Sequence, residues 1–149
     1  MSLAARSEVA YGLEVIDAVS EMLPGFWWDK AVAIGTRGRS GRILGGIVLH
    51  DWKPWFGTIE ITGAGRGPWL TRDLLYITHK YVVSIGVRQV ILRTSSDNEA
   101  AQRTLAALRA KVTWLCALRG PDEDELFCQI DVSSFGNILD GRLISPRTP

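Results

Sequence analysis

The residues best suited to chemistry surround one glycine-rich segment, residues 63–68 (GAGRGP). A loop of this kind between a strand and a helix offers free backbone N–H groups and the positive end of the helix dipole, and both favour phosphate. Arg66 and Arg72 add two positive charges with no acidic residue between them. The segment therefore predicts an anion site, and the alternative is an ordinary turn with solvated arginines.

Two familiar nucleotide motifs do not fit this segment. A P-loop needs Gly-Lys-Ser/Thr before its helix, whereas this chain has Leu70, Thr71 and Arg72 there. A dinucleotide fingerprint that begins at Gly63 would place its third glycine at Pro68, and the next predicted strand ends without an acidic residue for a ribose. We therefore expect neither a P-loop nor an NAD site.

Glu60 and His50 are the candidate bases. Glu60 lies in the middle of an alternating strand with Thr58 and Thr62 on its own face, so its carboxylate can point into a cleft. His50 ends another predicted strand and precedes Asp51, and a neutral imidazole can accept a proton near pH 7. The alternatives are a solvent-facing strand glutamate and a histidine that caps a turn.

Other reactive residues have simpler explanations. Cys116 lies on a predicted strand and is expected to be a buried packing residue. His79 falls on the polar side of a predicted helix, where we expect it to be exposed to solvent. The cysteines, Cys116 and Cys128, are not in CxxC spacing, and together with His50 and Asp51 they form no recognisable ligand set. We predict reduced thiols and no metal.

Length and composition restrict the class of protein. A chain of 149 residues favours one domain, and the formal net charge of +1 provides no general attraction to nucleic acid or to an anionic membrane. The N-terminal segment is interrupted by charges, and no apolar run in the sequence is long enough for a signal peptide or a membrane span. We expect a cytoplasmic protein of a bacterium or of a phage-infected host cell, with no membrane partner.

The elements that position these residues follow from periodicity and turn signals. Helical spacing predicts an opening helix over residues 7–23, which Pro24-Gly25 ends. Three strands follow, over residues 31–36, 42–50 and 57–62, with residues 51–55 as a connection. A helix with Thr71 as N-cap and Gly86 at its end leads into a strand over residues 87–94. This βαβ unit predicts two parallel strands at the centre of the sheet.

The second half of the chain completes a single domain. Ser96 and Glu99 match a capping box and open a helix that ends near Leu108. Strands over residues 111–118 and 125–132 form a closing hairpin around an acidic turn. The predicted fold is α/β, with a mixed, mostly antiparallel sheet, a central parallel βαβ pair and flanking helices. Residues 1–139 form the domain, and residues 140–149 form a C-terminal tail.

This order of elements resembles the GNAT family, the Gcn5-related N-acetyltransferases, over nearly the whole chain. The segments GGIVLHDW, WLTR, DNEAAQRTLAAL and the turn RGPDED are similar to those of short acetyltransferase-like proteins of bacteria and phages. The resemblance implies a GNAT-like domain with acetyl-CoA as cofactor. Its pyrophosphate would lie at the loop after the third predicted strand, and its pantetheine along that strand's edge.

The resemblance also assigns cofactor-binding residues. It implies that CoA is bound by Ile61, Thr62, Gly65, Arg66, Gly67, Trp69, Leu70, Thr71, Arg72 and Asn98. The chain departs from the family pattern at three of its positions. Trp69 and Thr71 replace two small residues of the loop, and Leu105 replaces a tyrosine that serves as general acid in many members. A leucine cannot donate a proton.

The function that these residues predict is transfer of an acetyl group from acetyl-CoA to an unidentified amine on a small molecule or a protein. Glu60 is the expected base and acts through water, His50 is the alternative base, and Ser95 offers a hydroxyl in place of the absent tyrosine. The alternative is a catalytically inactive GNAT-fold protein for binding or assembly, which a phage genome could encode. Modification of a nucleotide base is the least favoured hypothesis, because a formal net charge of +1 does not favour nucleic acid as a partner.

Six tryptophans require an explanation in so short a chain. Four of them, Trp27, Trp28, Trp52 and Trp55, lie in two connections that the fold brings towards the acceptor side. They could line a substrate pocket or a subunit interface, or they could serve only as packing. The closing hairpin could also pair with a second copy in a homodimer.

Overall fold

A seven-stranded sheet with helices on both faces forms the protein, and the computed structural model describes residues 7–25 and 28–140. The strands lie in the order β1-β2-β3-β4-β5-β7-β6. In chain order the elements are β1 (Glu8–Tyr11), α1 (Leu13–Met22), β2 (Val32–Arg37), β3 (Ile43–Lys53), β4 (Thr58–Gly65), α2 (Arg72–Ile85), β5 (Gln89–Ser95), α3 (Glu99–Ala107), β6 (Lys111–Gly120), β7 (Glu123–Asp131) and α4 (Val132–Leu139).

The predicted fold class is confirmed. All neighbouring strands pair antiparallel except β4 and β5, which are parallel and are joined by α2. Thr71 caps α2, since its hydroxyl accepts the N–H of Leu74 at 3.1 Å, and Gly86 ends the helix with a φ of 91°. No helix in the described part of the chain combines the length and the apolar character that crossing a membrane requires.

The parallel strands β4 and β5 pair along only part of their lengths. Thr58–Ile61 of β4 pairs with Gln89–Leu92 of β5. Beyond that point β4 continues beside β3 as far as Gly65, and β5 continues beside β7 as far as Ser95. The described ladder therefore leaves an opening between residues 62–65 and 93–95, which we call the wedge. Ligands of open α/β sheets bind at the carboxyl ends of such strands.

The two faces of the sheet are covered differently. Helix α1 covers one face at β2 and β3, where Val15 lies directly over Gly35 and Gly46. Helices α2 and α4 contribute to the larger core on the other face, with Leu74 and Phe135 among its buried members. Helix α1 contacts β1 to β4, so it does not cover the half of this face that β5, β7 and β6 form.

Two elements differ from the predictions. Residues 8–11 form strand β1 beside β2, so the opening helix begins only at Leu13. Gly12 separates the two with a φ of 86°, a conformation that interrupts a helix. Helix α4 was not predicted, because Ser133, Ser134 and Gly136 are weak helix formers. Its start is capped by Asp131, whose carboxylate accepts the N–H groups of both serines.

Smaller corrections concern ends and exposure. The cap of α3 is Asn98, whose side-chain oxygen accepts the N–H of Ala101 at 3.0 Å, and Ser96 is not the cap. Strand β3 continues to Lys53, through the segment predicted as a connection. Cys116 is exposed on the edge strand β6, whereas Cys128 is buried, and burial raises the pKa of the Cys128 thiol. The predicted tail beyond residue 140 lies outside the described residues.

His79 is half-buried instead of exposed. Its ring packs edge-on against Phe135 of α4, with the centroids 5.2 Å apart, and its Nε2 lies 3.1 Å from the carbonyl oxygen of Val132. Gly136 leaves room for this approach, because a Cβ there would lie 2.6 Å from the imidazole. Helix α4, which was not predicted, therefore covers His79.

The contact of α1 with β3 provides a test of the packing. We expect Gly46→Ala to lower the free energy of unfolding by about 2 kcal/mol, because the new Cβ would overlap Val15. Urea unfolding measures the change. In a Val15→Ala background, the same Gly46→Ala change should lower the free energy of unfolding much less, because the overlapping side chain is absent. Equal losses in both backgrounds would contradict the contact.

Candidate active site

A polar cluster of five side chains lies beside the wedge, on the face of the sheet that carries α1. Its members are His50 and Asp51 of β3, Glu60 and Thr62 of β4, and Arg93 of β5. The strand register places His50 opposite Glu60, and the alternation of β4 puts Glu60 and Thr62 on the same face. The predicted orientation of Glu60 away from the buried Ile59 is confirmed. We call this group the polar cluster.

His50 is bonded through both ring nitrogens. Its Nδ1 lies 2.9 Å from the Oδ2 atom of Asp51, and its Nε2 lies 2.9 Å from the hydroxyl of Thr62. The side chain is 11% exposed, and the Trp28 ring lies nearby with centroids 6.3 Å apart. The imidazole is therefore held in one orientation at the border between β3 and β4.

Asp51 reaches His50 because β3 has a bulge at this point. His50 pairs with Glu60 and Lys53 pairs with Thr58, so Asp51 and Trp52 together face a single residue of β4. Asp51 has a φ of 52°, in the left-handed region that a bulge of this type usually fills with glycine. For a residue with a Cβ this conformation costs about 1 kcal/mol.

Glu60 belongs to a chain of ion pairs. Its carboxylate lies 3.3 Å from Nε of Arg93, and the same guanidinium reaches Glu125 at 3.4 Å. Arg119 binds the other side of Glu125 at 3.5 Å, and Arg93 also lies over the ring of Phe127. Glu60 is thus a partnered carboxylate, with 23% of its side chain exposed.

Donor atoms of His50, Asp51 and Glu60 lie within 4.8 Å of one another, a spacing that a divalent cation could bridge. The hydrogen bonds and the ion pair described above already engage these side chains. The distances therefore do not call for a cation, and we assign these residues no metal role.

The loop between β4 and α2 is anchored by Trp69. The indole packs on the faces of Gly45, Gly63 and Gly65, where a Cβ at Gly45 would lie 2.7 Å from the ring. The hydroxyl of Thr36 donates to the carbonyl oxygen of Trp69 at 2.6 Å. The bulky side chain is therefore directed to the sheet, on the face opposite to the polar cluster.

Only part of the loop backbone is open to a ligand. The N–H of Trp69 donates to Gly67 at 2.9 Å and the N–H of Thr71 donates to Trp69 at 3.0 Å. Arg66 donates its N–H to Leu44 on β3. In this loop and the start of α2, all within the described chain, the N–H groups of Gly67, Leu70, Arg72 and Asp73 have no acceptor in the protein, and the N–H of Leu74 donates to the Thr71 hydroxyl.

The remaining predicted residues make contacts within the protein. The guanidinium of Arg72 donates to the carbonyl oxygen of Leu139 on α4, and the side-chain oxygen of Asn98 is used as a helix cap. The hydroxyl of Ser95 accepts the N–H of Asp97 at 3.2 Å. Leu105 is 3% exposed and belongs to the core.

The tryptophans of the connections have different environments. Trp28 lies beside His50, Trp52 is partly buried against the large core, and Trp55 is 73% exposed. Trp27 lies outside the described residues. Of the three that the structure describes, Trp28 is the one next to the polar cluster.

The roles of Arg93 and of the contact between Asp51 and His50 were not predicted from the sequence. Arg93 falls between Leu92 and Thr94 in an alternating strand, so its outward orientation was available from the pattern. Its pairing with both Glu60 and Glu125 depends on the order of β4, β5 and β7, which no local pattern reveals.

No protein-family model and no curated protein sequence matches the chain. Solved structures do match its fold. The spermidine/spermine N-acetyltransferase SpeG of Vibrio cholerae superimposes with a TM-score of 0.72 at 10% identity, over 91% of this chain and 98% of that one. An N-acetyltransferase of Staphylococcus aureus Mu50 gives a TM-score of 0.67 at 15% identity, over 85% of this chain and 99% of that one.

YncA of Salmonella typhimurium, whose structure contains its cofactor acetyl-CoA, gives a TM-score of 0.64 at 14% identity. The match covers 85% of this chain and 94% of that one. Together these likenesses show that the chain has the GNAT acetyltransferase fold, as the sequence predicted.

Proposed function

We propose that the protein is an N-acetyltransferase that transfers the acetyl group of acetyl-CoA to an amine. The observation that supports it best is the wedge between β4 and β5, which opens next to the start of α2 and has acid–base residues on one side. The fold shared with YncA, which is solved with acetyl-CoA, supports the same cofactor here.

The loop and α2 would bind the phosphates of acetyl-CoA. The N–H groups of Gly67, Leu70, Arg72 and Asp73 are suitable donors, and the exposed Arg66 adds a positive charge. The unpaired edge of residues 62–65 would hold the pantetheine. The proposed cofactor residues are Ile61, Thr62, Gly65, Arg66, Gly67, Trp69, Leu70, Thr71, Arg72 and Asn98. Three of them, Trp69, Arg72 and Asn98, also make anchoring contacts within the protein.

The polar cluster would act on the acceptor. We propose that Glu60 accepts a proton from the ammonium through water and that His50 is the second base. Ser95, at the end of β5, is the hydroxyl proposed on sequence grounds for the departing thiolate. The amine would belong to a small molecule or a protein, in the cytoplasm.

A catalytically inactive binding or assembly protein is the second candidate. The observation in its favour is the buried Leu105, which removes the acid found in many relatives of this fold. Release of free thiol from acetyl-CoA in the presence of an amine distinguishes the two, because only an enzyme produces it.

The edge strand β6 supports a homodimer. Val112, Trp114 and Leu118 are all exposed there, and β6 pairs with β7 on one side only. An exposed apolar edge strand is a template for pairing with another chain. A second copy that pairs at β6 would bury these three side chains.

Cofactor binding can be measured by calorimetric titration. We expect acetyl-CoA and CoA to bind and ATP not to bind. Arg66→Ala should weaken binding about 5-fold, since it removes one exposed cationic contact worth about 1 kcal/mol. Arg39→Ala, at an exposed arginine of the β2–β3 turn, is the matched control. The absence of heat with either CoA species would contradict the proposal.

Turnover tests the proposed base. We expect Glu60→Gln to lower kcat about 100-fold and to leave the Kd for acetyl-CoA unchanged, because the amide cannot accept the proton. Steady-state release of CoA with an amine panel measures this effect. Glu21→Gln, an exposed position on α1, should retain wild-type turnover. Full turnover of Glu60→Gln would remove Glu60 from the mechanism.

The oligomeric state tests the edge strand. We expect light scattering to give twice the chain mass for the wild type and the single chain mass for Trp114→Glu, because a charge cannot be buried in an apolar interface. Leu13→Glu changes another exposed apolar residue, outside β6, and should remain dimeric. A monomeric wild type would contradict the dimer.

A further inference from the structure

A continuous chain of hydrogen bonds links a carboxylate, an imidazole and a hydroxyl in the polar cluster. Asp51 Oδ2 and His50 Nδ1 are 2.9 Å apart, and His50 Nε2 and Thr62 Oγ1 are also 2.9 Å apart. Carboxylate, histidine and hydroxyl in this order form the arrangement by which proteins move a proton at a hydroxyl oxygen.

The direction of each hydrogen bond follows from its partners. An ionised carboxylate only accepts, so the Nδ1 atom of neutral His50 must carry the proton and donate it to Asp51. The Nε2 atom then has a lone pair, and the hydroxyl of Thr62 must donate to it. Asp51 thus selects the tautomer in which His50 is a base towards Thr62.

The backbone at Asp51 is arranged for this contact. Asp51 adopts a φ of 52° in the bulge of β3, a position where glycine would avoid the conformational cost. In this conformation the exposed Asp51 carboxylate lies 2.9 Å from Nδ1 of His50. An aspartate at this position gives the imidazole an acceptor that glycine could not supply.

Thr62 lies where the chemistry would take place. It is the first residue of β4 beyond the last parallel pair, Ile61 with Leu92, and so stands at the start of the wedge. Its side chain shares the face of Glu60, next to the expected approach of the acceptor. The thioester of a cofactor that runs along this edge would be within reach of its hydroxyl.

We propose that Asp51, His50 and Thr62 form a proton relay that carries a proton from the attacking nitrogen to the departing sulfur. This inference rests on the proposed acetyltransferase function. After the amine has formed its bond to the thioester carbon, its N–H proton passes to Thr62 Oγ1 while the Thr62 proton passes to His50 Nε2. Asp51 stabilises the resulting imidazolium.

The reverse transfers complete the step. As the C–S bond breaks, Thr62 donates its proton to the thiolate and His50 returns a proton to Thr62, so amide and CoA thiol form with no net change in the relay. Thr62 is the catalytic residue of the relay and Asp51 is a positioning residue. The relay supplies the proton that the buried Leu105 cannot donate.

Nitrogen NMR tests the relay directly, because the chain has only two histidines. Long-range proton–nitrogen spectra of the neutral rings, recorded with EDTA present, report which nitrogen of His50 carries the proton. We expect the Nδ1–H form in the wild type and a loss of that form in Asp51→Gly. His79, whose contacts are with Val132 and Phe135, serves as the internal reference. This measurement needs neither acetyl-CoA nor an amine.

The choice of variants separates catalysis from folding. Asp51→Gly removes the carboxylate and suits a positive φ, so its melting temperature should equal or exceed that of the wild type. We expect kcat to fall roughly 10- to 100-fold in this variant and in Thr62→Val. The Kd for acetyl-CoA should stay unchanged, because the strand edge at Thr62 would hold the pantetheine through its backbone. Thr62→Ser should recover most of the turnover. Thr58→Val, the same change on the same face of β4, is the matched control.

Three results would overturn the relay. The first is an Nε2–H form of His50 in the wild type, and the second is full turnover in both Asp51→Gly and Thr62→Val. The third is full turnover in Thr62→Val together with a loss in Ser95→Ala, which would give the proton transfer to Ser95. A failure of acetyl-CoA to bind would instead overturn the proposed function, and the NMR result would still decide whether His50 has the required tautomer.

Discussion

The partial pairing of β4 with β5 is the constraint on which the rest of the site depends. Each strand has a second neighbour that holds it along its length, β3 for β4 and β7 for β5. The parallel ladder between them ends at Ile61 and Leu92, while both strands continue beside their other neighbours. The open edge therefore lies between two strands that are each held by another strand.

Glycines let large side chains support this open region from both faces. Gly35 and Gly46 admit Val15 on one face, and Gly45 and Gly65 admit Trp69 on the other. Close packing of this kind fixes the height of each element above the sheet. Since Trp69 belongs to the loop before α2, the same glycines determine where the helix begins and where its N–H groups point.

The sequence predicted the centre of the fold better than its ends. The strand, glycine loop, helix and strand from Thr58 to Ser95 combine strict alternation, the Thr71 cap and the Gly86 terminus, and all of these local signals agree. Strand β1 was missed because Val9 fits helical spacing with Leu13, and only pairing with β2 makes it a strand. Helix α4 was missed because its stability depends on burial of Phe135, not on helix propensity.

The same distinction applies to the site. Alternation placed Glu60 and Thr62 on one face, and the structure agrees. The neighbours Asp51 and Arg93 could not be assigned, because one depends on a two-for-one bulge in β3 and the other on strand order. Local patterns report which face a residue takes, whereas hydrogen-bond partners across strands depend on register.

The charges of the wedge differ in sign from one end to the other. The polar cluster and the ion pairs beside it contain three carboxylates, those of Asp51, Glu60 and Glu125, and two guanidinium groups, those of Arg93 and Arg119. With His50 neutral, one negative charge is left over. At the loop, Arg66 and the helix start present positive potential. An anionic cofactor and a cationic amine would therefore approach opposite ends of one opening, and neither would compete for the other's site.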